Sequence, residues 1–311
     1  NGDWAVGKYP IAPGHEMAGV VRAVGDKAAG SFKVGEKVAV GCMVHSCMEC
    51  ELCKQGLEQH CPKMCQTYSS MFPKDCDHDD CADTWTNGGY STDITVHQRF
   101  VFKVPEGMPL ETAGPLCCAG VTTYSPLARH IKGKENMTVG VVGFGGLGMM
   151  AVKIAKAMGA KVTVFGRSEA KKAEATALGA DFAVMTDEAV IGSLGRTFDC
   201  ILDTVAVHHE INGIISTLKA YTGVLVLIGG IPQPYAVAGF PMIFNGTRVE
   251  GTFIGGCALT QEMLDFCHAH KISPEIEIIH AKDAEAALHK LHDSSAGAKR
   301  FVIRSETLKE M

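Results

Sequence analysis

From Met137 to Phe165 the chain reads MTVGVVGFGGLGMMAVKIAKAMGAKVTVF. A β-branched run broken only by Gly140 is followed by a turn of glycines, then by apolar residues recurring at three- and four-residue spacing, then by a second β-branched run. The pattern predicts a strand at about 139–142, a helix at about 147–158 and a strand ending at Phe165, together one βαβ unit. Similar runs predict strands at about 182–185, 198–203, 224–229 and 249–254, with helical patterns between the earlier ones, such as SEAKKAEATALG closed by Gly179. Six strands alternating with helices predict an α/β fold with a doubly wound sheet of order 3-2-1-4-5-6. The first third has another rhythm. KYPIAPGHEMAGVV turns at a Pro-Gly corner into an alternating strand pattern, and a polar, cysteine-rich stretch follows.

Composition sets the class. The 311 residues suffice for two domains, and 46% hydrophobic with 20% charged residues is the balance of an ordered globular protein. The net charge is −5 with no long block of one sign, which argues against a nucleic-acid or anionic-membrane surface. No apolar run approaches the roughly 18 residues of a membrane span and no charged-then-apolar leader precedes the first strand, so a cytoplasmic location is expected.

Thirteen cysteines are the strongest compositional signal. A chain of this size has core enough without disulfide staples. Four of them, Cys47, Cys50, Cys53 and Cys61, form CMECELCKQGLEQHC, a spacing that brings four thiolates around one point. Tetrahedral Zn²⁺ accepts such a set, and a closed four-sulfur site holds a lobe together without doing chemistry. An iron–sulfur cluster is the rival, since C-x2-C-x2-C opens ferredoxin runs and Pro62 follows Cys61; the longer gap before Cys61 favours zinc.

The glycine turn sits where a dinucleotide fingerprint belongs, after a buried strand and opening a helix. Gly143 allows the tight turn, Gly145 and Gly146 allow a pyrophosphate to approach the backbone, and Gly148, after Leu147, lets the helix pack on the sheet. The pyrophosphate would then rest on the positive end of the helix. An NAD site carries an acid at the end of the second strand; here stand Gly166, Arg167 and Ser168, with Lys171 one turn on. A guanidinium, a hydroxyl and an ammonium suit a 2′-phosphate, so NADP is the expected cofactor. Adjacent His15 and Glu16 read either as a surface pair or as part of a metal site that needs further ligands.

With PGHE, the cysteine lobe and the glycine motif in that order, the chain resembles the zinc-dependent medium-chain alcohol dehydrogenases, more narrowly the cinnamyl alcohol dehydrogenase group with its NADP-dependent aldehyde reductases. The likeness runs from YPIAPGHEMAGVVRAVG through GCMVHSCMECELCKQGLEQHC, GGYS, PLCCAGVTTYSPL and GFGGLG to FIGGCALTQEMLDFC and RFVI. It implies that His15 binds a catalytic zinc, that Glu16 approaches the metal, that Cys118 is a thiolate ligand with Cys117 at a usually apolar position, and that Thr122 lies against the nicotinamide. It further implies a GroES-like barrel from residues 1–118 and 257–311, with the structural zinc lobe at about 42–65, and a Rossmann domain at 119–256. Hydride transfer between NADPH and small alcohols or aldehydes of broad range follows. A homodimer joined near GTFIGG is also implied. In that family the first zinc ligand is a cysteine roughly twenty residues before the histidine. Counting back places it upstream of Asn1, so the expectation is a longer protein whose preceding segment carries that cysteine; only if the chain begins at Asn1 are His15 and Cys118 left with Glu16 and water, a set that holds zinc weakly.

Two departures bear on substrate. MFPKDCDHDDCADTWTNGG is longer than the family pattern and carries Cys76, His78 and Cys81 among acids, reading as an acidic solvated loop before a third metal site. Gln66 stands where plant members have an aromatic residue in the substrate cleft, so the expectation is kept to broad aldehyde reduction and alcohol oxidation without singling out a phenylpropanoid. The rivals are a zinc-free quinone reductase and an NADPH-binding module without turnover.

Overall fold

The computed structural model describes residues 9–76, 83–292 and 297–311. The chain forms two compact units, one running to Val121 and resuming at Ile254, the other Thr122–Phe253.

In the first unit, β1 (Met17–Val20), β2 (Lys37–Val40), β3 (Met43–His45), β4 (Cys65–Gln66) and β5 (Val101–Lys103) form two antiparallel sheets, β1-β2-β5 and β3-β4. Val40, Val44 and Cys65 are buried together, with Met17, Phe72, Val96 and Val101 packed around them. The short helix α1 (Glu51–Lys54) lies in the cysteine-rich loop. Helices α2 (Leu110–Pro115) and α3 (Val121–His130) are joined by a single π turn, Leu116–Gly120. Pro115 has no amide hydrogen to continue a regular ladder, a sufficient cause for the irregular turn.

The second unit alternates β6 (Thr138–Val142), α4 (Gly146–Ala157), β7 (Lys161–Gly166), α5 (Lys172–Ala177), β8 (Asp181–Val184), α6 (Glu188–Ser193), β9 (Cys200–Asp203), α7 (Asn212–Ser216), β10 (Val224–Leu227), α8 (Gly239–Asn245) and β11 (Arg248–Gly251). All neighbouring strands are parallel, in the spatial order β11-β10-β9-β6-β7-β8. In order of appearance this is the expected 3-2-1-4-5-6, with the switch point between β6 and β9. Central β9 is buried along its whole length, as strands covered on both faces are. Phe165, Phe198, Ile201, Ile214 and Leu225 share one apolar cluster, with Phe165 and Phe198 edge to face at 5.3 Å. The last strand ends earlier than its β-rich run suggests: Ile254 has φ +38°, outside the extended region, so GTFIGG contributes only its first residue to β11.

The returning segment adds α9 (Cys257–Ala269), β12 (Ile276–Ile279), α10 (Ala284–His292) and β13 (Arg300–Ile303), with β12 and β13 parallel. Helix α9 buries Met263, Leu264 and Cys267. Its Gln261 amide pairs both ways with the Lys103 main chain, at 2.8 and 3.0 Å, and so covers the open edge of β5. Among the described residues no helix is long and apolar enough to cross a membrane.

Candidate functional site

Cys47, Cys50, Cys53 and Cys61 bring their four sulfurs within 4.8 Å of one another. Met48, at φ +58°, turns the loop tightly. The Cys50 amide then donates to Cys47 Sγ at 3.3 Å, while the Cys47 and Lys63 amides donate to Cys61 Sγ at 3.4 and 3.3 Å. These main-chain donors stabilise sulfur as thiolate, and those of Glu49 and Cys50 hold the Cys47 thiol down at about 6. Burial pushes Cys53 the other way, up to about 12. A divalent cation is what allows all four to ionise together, so the donor set fits closed tetrahedral zinc. The lobe is anchored by Glu58, fully buried, which accepts from Arg99 at 2.7 Å and from the Cys257 amide at 3.0 Å.

The PGHE corner has a steric origin. Residues 12–14 lie against the GGY motif, with Gly88, Gly89 and Tyr90 amides donating to the Ala12, Gly14 and Pro13 carbonyls at 2.6, 2.9 and 2.9 Å. Gly14 has φ +100°, and a Cβ there would lie 2.6 Å from the Tyr90 ring. The corner sends His15 toward the π turn, where its Nε2 lies 3.3 Å from Cys118 Sγ. Cys117 instead points into the core, 1% exposed. Tyr68 stacks on the imidazole at 5.9 Å. Glu16 Oε1 is 4.0 Å from His15 Nε2 and 3.8 Å from Arg300 Nη1. Burial opposes protonation of His15, but the hydrogen bond and charge of Cys118, with Glu16, outweigh it and raise its pKa.

Cys42 completes this group. Its sulfur lies within 4.8 Å of both the His15 nitrogen and Cys118 Sγ, and its hydrogen bond, ahead of burial, pushes the Cys118 thiol well up. Sequence reasoning passed it over, expecting a cysteine upstream of Asn1 or, without one, Glu16 and water. The cause lies in pairing: the β1–β2 ladder ends with Met17 opposite Val40, which brings the segments that carry His15 and Cys42 out of the sheet side by side. Gly41 lets the strand end approach the π turn, since a Cβ there would lie 2.8 Å from the Cys117 carbonyl oxygen. One nitrogen and two sulfurs with no fourth protein ligand enforced is the chemistry of an open zinc site. Gln66 is exposed on β4, Cys76 is buried, and His78 and Cys81 lie outside the described residues.

In the second unit Gly143 has φ +86°, and its amide donates to the Phe165 carbonyl at 3.0 Å. A Cβ on Gly148 would run into the Gly143 carbonyl, which explains that glycine by helix packing. Gly145 precedes α4 without a side-chain cap, and nothing lies within 4 Å of where its Cβ would be. Gly145 is exposed and Gly146 and Leu147 are half-buried, so α4 begins at the surface with no side chain capping its first turn, a fitting seat for a pyrophosphate. A side chain at Gly166 would meet the Phe182 ring at 2.5 Å, which disfavours the acid that NAD sites carry there. Arg167 and Ser168 are exposed, and Ser168 caps nothing. Lys171 is drawn to Glu174 at 2.6 Å. Thr122 is the second residue of α3, directly after the π turn that carries Cys118.

Two family models match the chain: an alcohol dehydrogenase GroES-like domain over residues 1–106 and a zinc-binding dehydrogenase over 146–269. The chain is 43% identical over 309 residues to cinnamyl alcohol dehydrogenase 8 of Arabidopsis thaliana, covering 99% of this chain and 83% of that protein. It is also 43% identical over 310 residues to NADP-dependent alcohol dehydrogenase C 1 of Mycolicibacterium smegmatis, covering 99% and 85%. The crystal structure of a cinnamyl alcohol dehydrogenase from Helicobacter pylori complexed with NADP(H) superposes with a TM-score of 0.85 at 41% identity, covering 96% of this chain and 83% of that one. Glycine turn, cysteine lobe, GroES-like and Rossmann halves agree with these matches, and the chain belongs to the zinc-binding alcohol dehydrogenases, in their cinnamyl alcohol dehydrogenase-like group.

Proposed function

We propose that the protein is a zinc-dependent alcohol dehydrogenase and aldehyde reductase that uses NADP(H) on substrates of broad range. The observation that carries this reading is the coexistence of a closed four-thiol group with an open His15, Cys42, Cys118 group. A protein using zinc for structure alone has no need of the second. When bound, the zinc supplies a Lewis acid for the substrate oxygen and NADP(H) the hydride.

The chain's own residues hold and orient. Cys47, Cys50, Cys53 and Cys61 would hold the structural ion, with amide hydrogens already aimed at two of the sulfurs. His15, Cys42 and Cys118 would hold the catalytic one, with the His15 ring kept in place by Tyr68. Arg300, 3.8 Å from Glu16, would hold that carboxylate beside the group, within reach of a bound ion. Gly143, Gly145, Gly146, Leu147 and Gly148 would cradle the pyrophosphate. Arg167 and Ser168 would take the 2′-phosphate, with Lys171 joining by turning from Glu174, and Thr122 would lie against the nicotinamide.

We read residues 1–118 and 257–311 as the catalytic domain and 119–256 as the nucleotide domain. A homodimer through the open edge at β11 is supported by α8, whose Phe240, Ile243 and Phe244 are 75, 77 and 81% exposed. The many free thiols suit a reducing, cytoplasmic location. Metal analysis combined with NADPH oxidation by benzaldehyde tests the reading. About two zinc ions per chain with turnover is expected. One ion or none, without turnover, would return the protein to the quinone reductases or to cofactor-binding modules.

A further inference from the structure

A buried polar group at the end of β9 has no task in the reading above. Asp203 is 1% exposed; its main-chain oxygen accepts the Ile228 and Gly229 amides at 2.9 and 3.0 Å, and its Oδ1 the Val205 amide at 3.1 Å. Its Oδ2 faces His209 Nε2 at 3.0 Å, off the line of a good hydrogen bond, both atoms are buried, and the Tyr235 hydroxyl is the other polar group that reaches this carboxylate. His209 Nδ1 lies 2.9 Å from the Val207 carbonyl oxygen. A carbonyl only accepts, so Nδ1 carries its hydrogen. Nε2 can therefore meet a carboxylate oxygen only with a further proton between them, since otherwise two acceptors would confront each other in a buried place. Tyr235 packs edge-on against His209 at 5.6 Å, and burial with the Asp203 charge pushes its hydroxyl up to about 12. His208 stacks on Tyr235 at 6.0 Å, and Glu210 turns away to the Asn212 amide at 2.7 Å.

The position of this cluster gives it a use. β9 and β6 flank the switch point, and the segment after β9 is wedged between two turns. A Cβ on Gly143 would lie 2.8 Å from Val205 Cγ2 and 3.1 Å from Thr204 Oγ1, while one on Gly229 would strike the Val205 carbonyl. The Thr204 hydroxyl donates to the Val142 carbonyl at 2.8 Å. Residues 204–209 thus form a wall of the crevice at the carboxyl ends of the strands, where doubly wound sheets take ligands.

We propose that His209, bridged by a proton to Asp203, is a positioning residue for the nucleotide cofactor, pinning the Thr204–His209 wall beside the glycine turn. This rests on the cofactor reading above. The test is NADPH binding to the whole protein, followed by cofactor fluorescence without aldehyde, alongside steady-state kinetics. His209→Leu keeps bulk and removes both hydrogen bonds; it is expected to raise Kd and KM for NADPH roughly ten-fold while kcat at saturation and KM for aldehyde move less than about two-fold. His209→Gln, which still reaches Asp203 with an N–H, is expected to restore binding to within about three-fold of wild type. Where His209→Leu does not fold, His209→Asn, too short to reach Asp203, carries the same expectation. Unchanged binding in the Leu or Asn variant, equal weakening in Gln and Leu, or a fall in kcat alone would overturn the positioning role. Failure of the wild type to bind NADPH would instead overturn the cofactor reading and this proposal with it.

Discussion

At the scale of single residues, charge and ligand chemistry decide cofactor and metal. Arg167 is exposed directly after β7, and its guanidinium offers paired donors that a phosphate matches. Arg167→Asp exchanges that donor for an anion, which repels the 2′-phosphate and accepts from a free ribose hydroxyl. A loss of about 2 kcal/mol for NADPH, roughly thirty-fold in kcat/KM, is expected, with NADH improved. Kinetics with both cofactors check this, and an unchanged ratio would show Arg167 to be plain surface charge. The metal expectation separates a ligand cysteine from a core one. Cys42→Ser is expected to lower zinc content by about one equivalent and to abolish turnover, because a hydroxyl is a far poorer zinc ligand than a thiolate. Cys117→Ala, in the core and off the ligand group, is expected to keep both ions. Elemental analysis of the two proteins distinguishes them, and equal losses would refute the assignment of Cys42.

At the scale of elements, the cysteine lobe is a loop with little regular structure of its own, stabilised by what it grips. Glu58 ties it to Arg99 and to the start of α9 through the Cys257 amide. Glu58→Ala leaves the buried Cys257 amide without its acceptor and half-exposed Arg99 without its partner, so a loss of about 2 kcal/mol is expected, with a smaller loss for Glu58→Gln, which keeps one carbonyl. Thermal melting measures both. Cys53→Ser is expected to release the lobe's zinc and lower the melting temperature while NADPH fluorescence still reports binding, because the glycine turn belongs to the other unit. Unchanged metal and melting in Cys53→Ser would refute the four-thiolate site.

At the scale of the whole molecule, the open question is what covers α8 and the free edge of β11. A parallel sheet edge beside three exposed large apolar side chains is a surface that a second copy would bury by two-fold symmetry. Phe244→Glu is expected to convert a dimer to a monomer in sedimentation at micromolar concentration, with NADPH binding retained. A wild-type monomer would refute the dimer, and a variant that stays dimeric would place the interface elsewhere.

The sequence by itself determined whatever depends on near neighbours. The βαβ period set the six strands and their order, since right-handed crossovers leave few alternatives once strands and helices alternate. The fingerprint glycines and the C-x2-C-x2-C-x7-C lobe were legible because turn, helix start and ligand spacing all lie within one short stretch. The tertiary structure alone decided what depends on strand pairing. Cys42 stands far from His15 and Cys118 in the chain and in no recognisable spacing. The β1–β2 register and the close approach of Gly41 to the π turn bring its sulfur to the other two. The Asp203–His209 contact was hidden for a related reason: its two residues are near in sequence, but only burial beneath the turns after β6 and β10 makes their pairing matter. Local pattern encodes elements, whereas a site assembled across them follows from packing that no single segment specifies.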